Sequence, residues 1–139
     1  MFEMKERRKQ LDLGRMITYN LAQHNEICML LDVLDGSALS CETDNRNIHA
    51  LDRVIKALTH HMNFEELIMC HLNYLHEAVH VNDHSLIRTI ICSCSNSSVN
   101  NLSMLTIIEY YIALSRRYRD HALLYDVPLF NICDVAKHL

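Results

Sequence analysis

The chain of 139 residues has no tryptophan, only two glycines and a single proline. Sandwiches and barrels need turn residues at short intervals, and phosphate-cradling loops need runs of glycine. So little turn chemistry excludes both and leaves an all-α fold. An excess of basic charge is also missing: 13 Lys and Arg stand against 17 Asp and Glu, a formal net charge of -4. Nucleic acid is therefore not an expected partner, and the short clusters "KERRK" and "SRRYR" read as solvated faces. No apolar run reaches about 18 residues, so neither a membrane span nor a membrane partner is expected. The N-terminal "MFEMKERRKQLDLGRM" is charged, without the apolar stretch of a secretory signal, which predicts a cytoplasmic protein. Cys28, Cys41, Cys70, Cys92, Cys94 and Cys133 form no CxxC pair, and "CSC" is too tight for a zinc knuckle. They read as reduced thiols filling small core positions.

What is present is helical periodicity. A first helix is predicted from about Leu11 to Leu34, ending at Gly36 as C-cap, with Leu13, Ile17, Leu21, Ile27, Leu31 and Leu34 as its apolar stripe. A second runs from about Asn47 to Leu72, with Leu51, Val54, Leu58, His61, Glu65, Ile68 and Leu72 in one stripe. The third covers about Leu75 to Ser95, with His80, His84, Ile87 and Ile91 on one face. The fourth covers about Leu102 to Val127 and stops before Pro128. Its stripe is Ile107, Tyr111, Leu114, Tyr118, His121, Ala122 and Tyr125. "SALSCETDNRN" and "SNSSVNN" are polar connections. Helices with short links predict one domain, an up-down-up-down antiparallel four-helix bundle, preceded by a charged arm of about ten residues.

Six of the ten histidines crowd into residues 60–84. Some of them, together with acids, fall where a core would take leucine. His61 and Glu65 are four apart, as are His80 and His84, so each pair points the same way about one helical turn apart. His24 on the first helix and His121 with Asp126 on the fourth face the same interior. Buried without partners, these groups would cost several kcal/mol in desolvation. A metal cluster removes that cost, and imidazole plus carboxylate without thiolate suits iron or manganese.

The order H…HxxxE…HxxxH…HxxxxD resembles the hemerythrin family. "QHNEI" (23–27) is similar to that family's first-helix motif, "HMNFEE" (61–66) to its HFxxEE, "HVNDH" (80–84) to its HxxxH, and "HALLYD" (121–126) to its HxxxxD. His24 precedes His61 by 37 residues and His84 precedes His121 by 37, as two similar hairpins would produce. The resemblance spans about Ile17 to Phe130. It implies two iron ions in an oxo- or hydroxo-bridged centre. His80, His84 and His121 would hold one iron and His24 and His61 the other, with Glu65 and Asp126 bridging. Dioxygen would bind at the open position, for carriage, storage, sensing or delivery to a partner protein rather than for catalysis.

The chain also departs from the family. It lacks the tryptophans, with Arg117 at the position four before His121, and Met62 stands where phenylalanine commonly follows His61. A rival register of the fourth helix uses Ser115 and Asp120, with Tyr111 for the tryptophan, but it turns Arg116 and Arg119 toward the core, which is costly. Another register uses His76 with His80. His49, His60, His71 and His138 have no place in the pattern and read as exposed. Alternative functions are a di-iron enzyme acting on peroxide, nitric oxide or a substrate, and a helical interaction module with a degenerate or zinc-filled site.

Overall fold

The computed structural model describes residues 2–39, 45–96 and 104–137, with side chains described over 14–34, 49–94 and 108–133. Among these residues the structure is all helical, without a strand. Helix α1 is Phe2–Leu39, α2 Asn45–Leu72, α3 Glu77–Asn96, α4 Met104–His121 and α5 Val127–Lys137; a π turn, Ala122–Asp126, links α4 to α5. Helix α1 packs against α2, α4 and α5, while α3 packs against α2 and α4.

Three boundaries differ from the expectation. Residues 2–10, read as an arm, are the opening turns of α1. Gly36 does not cap α1, which continues to Leu39. Nor does Pro128 end the fourth helix: the chain stays helical through it to Lys137. The π turn explains this. The Val127 N–H bonds to the Ala122 carbonyl, five residues back rather than four. Proline has no N–H to continue the ladder and crowds the preceding turn, so it follows naturally where that turn is already widened.

A local signal joins α2 to α3. Asn73 has φ 50°, the left-handed conformation that asparagine tolerates. The Tyr74 N–H reaches the Met69 carbonyl at 3.0 Å and the Asn73 N–H reaches Cys70 at 3.3 Å. This pair of bonds is a Schellman cap. Tyr74, just past it, packs in one apolar cluster with Met69.

The core has two apolar parts. One gathers Ile27, Leu31, Leu58, Met62, Ile87, Leu114 and Tyr118 with their neighbours. The smaller gathers Ile17, Ile68, Met69, Tyr74, Leu129 and Cys133. Buried polar residues fall between them along the chain: Asn20, Gln23 and His24 lie between Ile17 and Ile27, His61 and Glu65 between Leu58 and Ile68, and His121 and Asp126 between Tyr118 and Leu129. The predicted stripes hold with one clear exception: Leu21 is exposed, because Asn20 and Gln23 take the inward arc there. Leu13 and Ile107 lie outside the described side chains. Of the cysteines, Cys94 and Cys133 are buried as expected, Cys28 is half-buried, and Cys70 and Cys92 are exposed, contrary to the core reading. Cys41 lies outside the described residues.

Candidate metal centre

All seven residues singled out from the sequence converge. Donor atoms of Glu65, His80, His84, His121 and Asp126 lie within 4.8 Å of one another, and those of His24, His61 and Asp126 form a second group on the same criterion. Every member is buried except His24, which is half-buried. His61 and Glu65, like His80 and His84, meet because a regular helix places residues four apart on one face. His121 and Asp126 are five apart, about 140° from one another on a regular helix. The π turn between them takes up the extra residue and brings Asp126 back to the face of His121.

Asp126 spans the site. Its Oδ1 lies 2.8 Å from His121 Nε2 and 3.2 Å from His80 Nε2, while Oδ2 lies 3.4 Å from His61 Nε2. Glu65 Oε1 is 3.3 Å from His84 Nε2, 3.4 Å from His61 Nε2 and 3.5 Å from His80 Nε2. Its other oxygen accepts from Asn20 Nδ2 at 3.4 Å. These atoms are close without being paired: Glu65 Oε1, Asp126 Oδ1 and the Nε2 atoms of His80, His84 and His121 are buried and lack a hydrogen bond. They crowd one buried space without hydrogen bonds to complete them. A cation there satisfies them all, so the cluster fits a bound metal ion.

Electrostatics point the same way. Burial disfavours charge on Glu65, yet the facing imidazoles hold its carboxyl well below the ordinary range. Burial and the Glu65 charge raise Asp126, but His121, His61 and His80 outweigh them and bring it to about 2. Burial lowers His121, while Asp126, Glu65 and Asp83 together lift it to about 10. His80 is also raised, its carboxylates outweighing burial. His24 and His84 are lowered, chiefly by burial. Two carboxylates here stay ionised and two imidazoles are held neutral, while His121 keeps a proton that a metal would displace.

An outer layer fixes the rings. His61 Nδ1 donates to Gln23 Oε1 at 3.2 Å, and His121 Nδ1 donates to Asp83 Oδ2 at 2.6 Å. Both bonds leave Nε2 as the cluster-facing nitrogen. Asp83 is itself held by Arg117, and Arg88 holds Glu66, whose Oε2 is 3.8 Å from His84 Nδ1. Sequence reasoning missed Asp83 and Arg117. A signal existed: Asp83 is an acid within the inward arc of α3, and Arg117 is four residues before His121 and so on its face.

The rival registers do not assemble. Asp120, Arg116 and Arg119 are exposed, and Ser115 accepts from Arg119 Nε at 3.2 Å. His76 is exposed, as are His49, His60 and His71; His138 lies outside the described residues. Among the described residues no helix is long and apolar enough to cross a membrane. The chain matches no family model, no curated protein and no solved structure.

Proposed function

We propose that the chain is a hemerythrin-type protein, an up-down-up-down antiparallel four-helix bundle that binds dioxygen at a di-iron centre as a carrier, store or sensor. The observation that carries this reading is the pair of donor groups sharing Asp126, one of five residues and one of three. His80, His84, His121 and Glu65 would hold one metal and His24 and His61 the other, with Asp126, whose Oδ1 faces His121 and His80 and whose Oδ2 faces His61, common to both groups. Iron in such a site supplies electrons and an open coordination position. The chain's residues do the rest. Gln23 and Asp83 orient the imidazoles, and the two apolar clusters keep bulk water from the buried donors. The smaller donor set, on the His24 side, would be the one with room for an external ligand.

A second reading, a di-iron oxidase or peroxidase, draws on one observation: the buried Tyr118 hydroxyl, a proton-bearing group, touches His24. An optical spectrum taken through cycles of air and its removal separates the two. A carrier loaded with ferrous iron develops a visible charge-transfer band in oxygen and loses it without oxygen. Irreversible oxidation or turnover of peroxide overturns the carrier in favour of the enzyme.

A further inference from the structure

A pocket of about 310 Å³ opens beside the cluster, between the start of α3 and the π turn that follows α4. Its exposed rim is His76, Val79, Leu124 and Pro128, and its inner wall is Tyr74, Tyr125 and the buried ring of His80. The volume falls at the low end for small-molecule sites, about 300–1,000 Å³, which pair apolar walls with a few convergent polar groups. Here those groups are two imidazoles and two phenols, and among the described residues no acid or lysine lines the pocket.

His80 is the cluster imidazole whose outer side is incomplete. Its Nε2 faces Asp126 Oδ1 at 3.2 Å and Glu65 Oε1 at 3.5 Å. Its Nδ1 is buried and has no hydrogen bond. The corresponding nitrogens of its neighbours have groups of the chain beside them: Gln23 for His61, Asp83 for His121, and for His84 the Glu66 carboxylate at 3.8 Å. Cationic, or metal-bound at Nε2, the His80 ring carries a hydrogen on Nδ1, and a buried donor left unpaired is unfavourable. No described residue supplies the acceptor, and the pocket ends on this ring.

We propose that the pocket binds a small carboxylic acid with an aromatic or branched apolar body. Its carboxylate accepts hydrogen bonds from His80 Nδ1 and from the His76 ring, and its body lies against Val79, Leu124 and Pro128. To reach Nδ1 the carboxylate displaces the half-buried Tyr125 ring, which rests 5.6 Å from the His80 ring between centroids. The chain provides His121 with an outer acid, Asp83; for His80 the ligand provides it. The site stands on the pocket and the unpaired nitrogen and needs no metal. One consequence does rest on the metal-centre reading: an anion on Nδ1 makes Nε2 a better donor, so the bound acid would tighten metal binding.

Isothermal titration calorimetry of the full chain with benzoate, and with benzyl alcohol as its neutral counterpart, tests the site. Benzoate should saturate a single site and bind about tenfold more tightly than benzyl alcohol, or better. Val79→Trp fills the pocket from an exposed position, and Leu124→Glu sets a like charge on the rim. Each should weaken benzoate about tenfold or more while the helix content seen by circular dichroism stays unchanged. No saturable benzoate binding overturns the proposal. So does benzyl alcohol binding as tightly as benzoate, or benzoate binding to both variants as tightly as to the wild type. The comparison of the two probes on the wild type decides the question even if the variants fail to fold.

Discussion

On one side of Asp126 stand His80, His84 and His121, all buried, with Asp83 braced by Arg117 and Glu66 braced by Arg88 behind them. On the other side stand His24, half-buried, and His61, backed by the neutral partners Gln23 and Tyr118. In the first half Asp83, ion-paired to Arg117, holds the His121 ring, and Glu66, ion-paired to Arg88, lies 3.8 Å from His84 Nδ1. The second is held by uncharged groups and reaches nearer to solvent. On the proposed reading the first half would retain a metal and the second exchange what binds there.

Removing what the halves share should have the largest effect. Leu114 is fully buried in the larger apolar part of the core, and Leu114→Asp places an unpaired charge there. It should cost more than about 4 kcal/mol and abolish the cooperative melt seen by circular dichroism, whatever the metal content. His121→Ala should keep the helices but lose metal from the five-donor half. Ser115→Ala should leave the metal content unchanged, and the reverse outcome would restore the rival register. His24→Ala should remove only the second metal, which equilibrium dialysis can count.

Smaller changes sharpen the contrast. Asp83→Asn leaves every donor in place but weakens the brace on His121. Metal affinity in a competition titration should fall about 10- to 100-fold. The corresponding change on the other side, Gln23→Ala, removes a neutral partner and should cost less; an equal loss would erase the distinction drawn between the halves.

The metal-free protein should also carry a pH signature. His121 is lifted from 6.5 to about 10, so its contribution to stability is full below 6.5 and is lost as pH rises toward about 10. Asp126 is held at about 2 against 3.8, so its contribution is present above 3.8 and is lost as pH falls through about 2. Melting temperature without metal should therefore fall between pH 6.5 and about 10, and bound metal should reduce that fall because it replaces the His121 proton. A melt that rises with pH over that window contradicts the assignment.

Much of this was legible in the sequence because helix geometry is regular. Positions four apart in α2 and α3 put His61 with Glu65 and His80 with His84 without any tertiary knowledge. His121 and Asp126 could be named but not explained, since their spacing fits no regular helix and needs the π turn before Pro128. Gly36 misled because a glycine inside a helix costs only about 1 kcal/mol, which packing elsewhere can offset. Leu21 misled because the inward arc of α1 there belongs to Asn20 and Gln23, which serve the cluster rather than the apolar core. The outer layer was hidden because Asp83 and Arg117 acquire their roles only when α3 and α4 meet.

On the proposed reading these buried donors hold two metals of unequal retention. The most direct test loads the metal-free chain anaerobically with ferrous iron, counts metal, and follows its removal by a chelator. About two irons per chain should leave in two phases, with the slow phase lost in His121→Ala and the fast phase lost in His24→Ala. No bound iron, or one uniform phase untouched by either change, would contradict it.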